Sequence, residues 1–302
     1  MRCRTLRVIL NGKKSALPQV RQAVAAVRKD GHEVDVRVTW ESGDAARFAA
    51  EALDDDVDVI VAGGGDGTIN EVVNGIFQRT EKPEKSVGVM PLGSANDFAR
   101  GCGIPMQNPT ASLRFAASAG PQPIDVGRVN DRYFINALVA GFGAEVTFQT
   151  SARMKKVIHG AAYGITGFLT ALKHAVYHSH VRTPTGERKG EMIFSALANG
   201  HQAGGFSVAP RAKLDDGLLD LMSVPDFHVE QLPDLLRDIT HLKRREPTLV
   251  RYEQLNWIEV ESKRDIPISP DGEQLIARHV RVDVLKQRLK FVLPDGPLLG
   301  GA

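Results

Sequence analysis

Three short stretches carry residues whose types and spacing can do chemistry. The first is Gly63-Gly64-Gly65-Asp66-Gly67-Thr68-Ile69-Asn70-Glu71. Successive glycines leave no Cβ between backbone N–H groups and a guest, and a helix N-terminus behind them adds unpaired donors and a favourable dipole, so phosphate is the expected ligand. The loop is not a Walker A motif, because no Gly-Lys-Ser/Thr closes it, and Thr68 stands where a dinucleotide fingerprint needs its third glycine. Asp66 inside the cradle would repel a lone anion, which makes a cation the natural companion of the phosphate. The second stretch, Lys213-Leu214-Asp215-Asp216-Gly217-Leu218-Leu219-Asp220, groups carboxylates around a glycine turn. From composition alone it suits either an oxygen site for a hard cation, Mg²⁺ or Ca²⁺, or a plain β-turn. The third, Ser269-Pro270-Asp271-Gly272-Glu273, holds two carboxylates either side of a glycine. That spacing fits a base and its orienting partner; in isolation it is an ordinary hairpin turn.

The elements that must position these residues follow from hydrophobic period. Val57 to Ala62 is a short β-branched run, the pattern of a strand buried on both faces, and Ile69, Val72, Val73 and Ile76 then mark one apolar helix face. Asn70, Glu71 and Asn74 fall on other faces of that helix. Upstream, Leu6–Leu10 reads as a strand, Pro18 opens a helix through Val27, Glu33–Thr39 alternates as a second strand, and Ala45–Leu53 is a helix with cap residues at Glu41-Ser42-Gly43-Asp44. This β-α-β-α-β-α order predicts an open parallel sheet with helices on both faces, whose ligands sit at the carboxyl ends of the strands. The loops at Asn11, Thr39 and Gly65 then share one edge, with Lys13 either facing phosphate or merely solvated.

Ser86–Met90 is the next strand, followed by Pro91-Leu92-Gly93-Ser94-Ala95-Asn96-Asp97-Phe98-Ala99-Arg100, where Ser94 is a candidate helix cap and Asp97 and Arg100 form a local pair. Pro105–Pro123 reads as a helix, and Pro121-Gln122-Pro123 as a linker. Beyond Asp125 the runs 126–136, 192–198, 218–224, 257–261, 264–268, 279–285 and 289–293 alternate between turn residues, which predicts an antiparallel β-sandwich as a second domain. The expected division is 1–122 and 123–293, with a tail of about 294–302 packing back on the first domain. Residues 153–180 interrupt the β pattern with helical spacing, glycines, Lys155, Lys156, Lys173 and no acidic residue. That stretch suits either contact with anionic headgroups or a helix packed on the sandwich. His174 and His178 have metal-pair spacing but no accompanying carboxylate. The basic run at 243–245 reads as a solvated face.

The chain has 302 residues, 42% hydrophobic and 25% charged, with a formal charge of +2. These values suit a soluble two-domain protein and argue against a nucleic-acid partner. Cys3 and Cys102 form neither a disulfide framework nor a zinc motif. No apolar run is long enough for a signal peptide or a membrane span, so the expected place is the cytoplasm, with peripheral membrane contact. Oligomeric state is not legible.

Gly64-Gly65-Asp66-Gly67-Thr68 with Asn70-Glu71 resembles the nucleotide loop of the diacylglycerol kinase superfamily, which extends to sphingosine kinases, NAD kinases and phosphofructokinases. Pro91-Leu92-Gly93-Ser94 before Asn96-Asp97-Phe98-Ala99 is similar to that family's second signature, with serine in place of threonine, and Asp271-Gly272-Glu273 to its third. Thr39-Trp40-Glu41-Ser42-Gly43-Asp44-Ala45-Ala46-Arg47 and Asn199-Gly200-x-x-Ala203-Gly204-Gly205 most resemble the YegS-type bacterial lipid kinases. The resemblance implies an ATP-dependent lipid kinase in which Thr39, Gly65, Asp66, Gly67, Thr68, Ile69, Asn70, Glu71 and Ser94 bind ATP. Mg²⁺ is held with help from Asp66 or Asp97. A second cation is held by the Asp216 side chain with the Lys213 and Leu218 carbonyls. It also implies that Asp271, beside Glu273, accepts the proton of a lipid hydroxyl at a membrane surface, that of phosphatidylglycerol or diacylglycerol. Two rivals remain: a kinase of a soluble acceptor such as NAD, and a non-catalytic nucleotide- or lipid-binding protein.

Overall fold

In the computed structural model, residues 3–141, 144, 176–203, 206–207, 209–242, 246–296 and 299 are described. Strands β1 (Thr5–Leu10), β2 (Glu33–Val38), β3 (Val59–Gly64) and β4 (Ser86–Pro91) run parallel in the order β2-β1-β3-β4. Period-2 alternation divides their side chains between two layers. Leu6, Val8, Leu10, Val59 and Val61 meet Val20, Val24 and Val27 of α1 (Pro18–Lys29) and Leu113, Ala116 and Ala117 of α5 (Pro109–Ser118). Ile9, Ile60, Ala62, Val87 and Val89 meet α2 (Asp44–Glu51), α3 (Asp66–Arg79) and α4 (Asp97–Gly101). In α3 the apolar face is Ile69, Val72, Val73 and Ile76, at the spacing its sequence foretold.

The second half is antiparallel. Among the described residues it comprises β5 (Pro121–Val129), β6 (Arg132–Phe134), β7 (Ala137–Gly141), β8 (Tyr177–Thr183), β9 (Gly186–Ala198), β10 (Gln202–Ala203), β11 (Phe206–Ser207), β12 (Leu219–Pro225), β13 (Arg251–Leu255), β14 (Trp257–Pro270) and β15 (Leu275–Val292), and the helix α6 (Leu232–His241). Two pairs of expected strands are each one long strand: β14 continues across an irregularity between Glu261 and Ile266, and β15 across another between Leu285 and Leu289, where Gln287 takes a φ of 47°. The polar residues that read as boundaries are bulges.

The strand β15 joins the two halves. It is antiparallel to β14 and β5, and its end, Lys290 and Phe291, pairs in parallel with Ser86 and Val87 of β4. Leu289, Phe291 and Leu293 belong to the α2–α3–α4 core, and Leu299 packs on it. Several expectations need correcting. Pro121-Gln122-Pro123 is not a linker but the start of β5, paired with Val292 to Lys290. The helix between the prolines is confined to α5, capped by Asn108, whose side chain accepts from the Thr110 and Ala111 N–H groups. Of residues 153–180, those described, 176–180, lead into and form β8 rather than a helix, so His178 lies on a strand paired with β9. The rest of that stretch, with Lys155, Lys156, Lys173 and His174, lies outside the described residues, as does 243–245.

Candidate active site

Two loops meet at the carboxyl edge of the parallel sheet. After β3 the chain turns at Gly65, the N-cap of α3, and after β4 it runs through Leu92 to Asn96 before α4. The Leu92 N–H donates to the Gly64 carbonyl (2.7 Å), and Asn96 clamps Gly93 with two hydrogen bonds of 2.9 Å. A Cβ on Gly93 would lie 2.5 Å from the Gly65 Cα, and one on Gly64 would overlap the Thr68 side chain, so the two loops approach this closely only as glycines. Ser94 was a candidate cap for the following helix. It instead lies exposed on the loop, and the helix begins at Asp97 with a distant cap: Asp66 accepts from the Asp97 and Phe98 N–H groups, both at 3.1 Å. Asp97 is buried next to it. Asp66 therefore ties α3 to α4, with two of about four lone-pair positions of its carboxylate filled.

Beside this loop pair lies a cavity of about 640 Å³ whose lining includes Asn11, Lys13, Val38, Thr39, Trp40, Ser42, Thr68 and Glu71. Thr39 is fixed from both sides, its N–H donating to the Leu10 carbonyl (2.9 Å) and its hydroxyl accepting from the Gly12 N–H (3.1 Å). Ile69 contributes only its backbone to this region, since its side chain is in the core. Gly67 is exposed at the start of α3, whose first N–H groups have no partner within the helix.

The second half contributes a turn that meets α3 at Asn70. Pro270 to Glu273 form the β14–β15 turn: the Glu273 N–H donates to the Pro270 carbonyl (2.9 Å), and Asp271 and Gly272 both have positive φ, 46° and 93°. This is a type I′ hairpin turn. The Asp271 carboxylate is surrounded by donors. Ile135 N–H (2.8 Å) and Asn70 Nδ2 (3.1 Å) reach Oδ2, and the Asn136 and Ala137 N–H groups (both 3.0 Å) reach Oδ1. Burial pushes its pKa up against those four hydrogen bonds. Glu273 is more open, 43% exposed at its side chain, with Arg132 4.0 Å away. Its charge reaches Glu71, whose carboxyl is raised mainly by burial and further by Glu273 and Asp44.

The polar side of α3 carries this contact. Asn70, 1% exposed, and Asn74 both donate to the Tyr133 carbonyl at 3.0 Å, the Tyr133 N–H returns to Asn74 Oδ1 at 3.0 Å, and Phe77 stacks on Tyr133 with centroids 4.4 Å apart. One helix thus begins at the glycine loop and ends its polar face on the Asp-Gly-Glu turn.

The Asp216 turn stands apart from this cleft. Lys213 is exposed, Asp216 and Leu218 are half-buried, and the Leu218 N–H donates to Asp216 Oδ1 (2.9 Å). Its neighbour is a residue the sequence reading passed over, Asp125 on β5. Asp125 is fully buried, accepts from the Gly217 (2.5 Å) and Gln287 (2.6 Å) N–H groups, and has its pKa pushed up to about 6 by burial and then by the charges of Asp216 and Asp215. The signal was an aspartate between Ile124 and Val126 in an apolar strand. Asp216 is raised as well, by burial and by Asp215, while Lys213 opposes. Crowded carboxylates that raise each other suit a divalent cation bound by oxygen. Asn199 connects the two regions, donating to the Asp125 (2.9 Å) and Ile135 (3.0 Å) carbonyls; its buried Oδ1 has no hydrogen-bond partner among the described residues. A further carboxylate–histidine group, Glu259, Glu261 and His279, is an ion-pair network in which Arg182 lies 3.2 and 3.1 Å from the two glutamates.

A glycine loop opening a helix at the edge of a parallel sheet, with a carboxylate turn from the antiparallel half bonded to that helix, is a layout that suits a phosphotransferase. Residues 5–129 match the diacylglycerol kinase catalytic domain, and residues 136–293 match the YegS C-terminal NAD kinase beta sandwich-like domain. A protein of Chromohalobacter salexigens described as a probable lipid kinase YegS-like is 42% identical over 294 residues, 97% of this chain and 94% of that one. One of the same description from Pseudomonas aeruginosa is 40% identical over 296 residues, 97% and 95% of the two chains. The fold is similar to the crystal structure of a diacylglycerol kinase from Bacillus anthracis, with a TM-score of 0.76 at 20% identity, covering 99% of both chains. The chain belongs to the YegS-like lipid kinases of the diacylglycerol kinase family.

Proposed function

We propose that the chain transfers the γ-phosphoryl group of ATP to a free hydroxyl of a glycerolipid, phosphatidylglycerol or diacylglycerol. The observation that carries the lipid reading is a second cavity, of about 440 Å³, lined by Leu138 and Ala140 of β7, Leu197 of β9, and Ile266 and Ile268 of β14. Of these strands β7 begins at Ala137, whose N–H reaches Asp271, and β14 ends at Pro270 just before it, so the lining residues Leu138 and Ile268 are one and three positions in the chain from that contact. An acyl chain gains by leaving water there, whereas NAD or a sugar phosphate has no apolar tail to place in it.

In this reading the α3 N-terminus and the Gly65–Thr68 backbone hold the nucleotide phosphates. Asp66 and Asp97 are the carboxylates beside them for a divalent cation, which neutralises charge developing on the transferred group. The structural cation site is Asp216 with the Lys213 and Leu218 carbonyls, Asp125 adding negative charge behind them. The proton acceptor is Glu273. Asp271 was the sequence expectation for that role, but its four hydrogen bonds fill the roughly four acceptor positions of a carboxylate, leaving none for a lipid hydroxyl. Asp271 then acts through its neighbours, fixing the turn that carries Glu273 against α3.

Incubation with labelled ATP and vesicles of phosphatidylglycerol or diacylglycerol, with NAD as the soluble competitor, tests the acceptor class. Label in a lipid extract identified by mass is expected. Label in NAD alone would refute the lipid reading. The cation site has its own readout. Without nucleotide, Mg²⁺ or Ca²⁺ is expected to stabilise the unaltered chain by about 2.7 kcal/mol at a hundredfold excess over Kd, seen as a raised melting temperature, and to stabilise Asp216→Ala clearly less.

A further inference from the structure

Trp40 is 95% exposed, the most exposed of the large hydrophobic residues described. Its backbone is nevertheless tightly held. The Trp40 N–H donates to Asp44 Oδ2 (2.8 Å), the Glu41 N–H joins at the same oxygen (3.2 Å), and Arg47 secures Asp44 Oδ1 (2.7 Å). On the other side Thr39 is pinned to Leu10 and Gly12. These hydrogen bonds hold the Asp44 carboxyl down to about 2, so the clamp is ionised across the neutral range. A rigid loop thus presents a bare indole to water, and a flat aromatic surface of that size gains by being covered.

Trp40 lines the cavity of about 640 Å³ together with Val38 and, on the first turns of α3, Thr68 and Glu71. The same cavity therefore offers an aromatic face and the neighbourhood of a helix N-terminus, which favours anions. A molecule that joins a flat ring to phosphates matches both features, and a mononucleotide is of the right size for such a volume. A bilayer matches less well, because Glu41 and Glu71 line the same cavity and Asp44 holds the Trp40 N–H, three carboxylates against Lys13, the one lysine among the lining residues.

We infer that Trp40 is the platform on which the nucleotide base stacks, closing the cavity over it. This rests on the reading of the cavity as the nucleotide site and adds to it the residue that binds the base. Because every base has a π-face, stacking supplies affinity without choosing among bases.

The chain has two tryptophans, and Trp257 lies under the Arg281 guanidinium, 4.4 Å from its ring, on β14. Trp257→Phe therefore leaves Trp40 as the sole reporter. Titrating this variant with ADP is expected to quench its emission with saturation, and tripolyphosphate, which has the charge but no base, is expected to leave it unchanged. Calorimetry on the same samples measures ADP binding independently. Trp40→Ala is expected to weaken ADP binding roughly 5- to 150-fold and to raise KM for ATP with little change in kcat, and Trp40→Phe to restore most of the loss. If ADP binds by calorimetry while emission stays constant, the platform is wrong and the nucleotide site stands. If ADP does not bind the unaltered chain, both fall. Equal quenching by tripolyphosphate, or a blue shift with phosphatidylglycerol vesicles and none with ADP, also overturns the platform, the latter in favour of a lipid surface.

Discussion

Glu273→Gln is expected to lower lipid phosphorylation by about 10²–10⁴-fold, the range over which a positioned general base acts, with KM for ATP and the melting temperature nearly unchanged. Glu273 has an open side chain on a turn whose conformation is set by its neighbours, Asp271 and Gly272, and by the Pro270 carbonyl. Glutamine keeps its shape and removes the proton-accepting ability together with the charge, whose partners among the described residues are the exposed Arg132 at 4.0 Å and the carboxyl of Glu71. The loss should therefore fall on kcat. Kinetics at saturating ATP and lipid, paired with a thermal melt, check it; near-normal turnover in a folded variant would move the base elsewhere.

Asp271→Asn is expected to behave differently, lowering stability and turnover together. The carboxylate accepts from three backbone N–H groups and the Asn70 amide. An asparagine amide replaces one accepting oxygen by a donor. Asn70 can turn to meet it, but a backbone N–H on the same side cannot, and an unsatisfied buried donor costs about 1–3 kcal/mol. For a protein of this size that is a fall of several degrees, at about 2–4 °C per kcal/mol. Should Asp271→Asn melt normally while losing all turnover, and Glu273→Gln remain active, the two roles are the reverse of those assigned here.

How much could be read in advance depends on how far apart the cooperating residues lie in the chain. The strand–glycine–helix unit that begins at Val57 was legible because a continuous β-branched run gives way across the glycines to an apolar period of 3.6, a purely local signal. The Asp271-Gly272 turn was legible for the same reason, its positive φ values being those that Asp-Gly accepts. What escaped is tertiary. Nothing near Asp66 shows that its carboxylate caps a helix beginning at Asp97, so Ser94 took that role by proximity. Asp125 has its pKa raised by burial and further by the charges of Asp216 and Asp215, far along the chain. In β8, Tyr177, Ser179, Val181 and Thr183 are buried in alternation, yet the preceding residues suggested a helix and the period change at 177 was missed. The bulges in β14 and β15 broke an alternation that the strand itself does not break.

The pairing of Lys290 and Phe291 with Ser86 and Val87 has a consequence for how the molecule is made. During synthesis the parallel-sheet half leaves the ribosome first, with the rim of β4 bare and the pockets for Leu289, Phe291 and Leu293 unfilled. Contacts that wait for nearly the whole polypeptide are slow to close, and a bare strand rim invites the wrong partner. A nascent chain stalled before residue 289 should therefore be protease-sensitive in its first half, and completing the last strand should be the step that makes that half resistant.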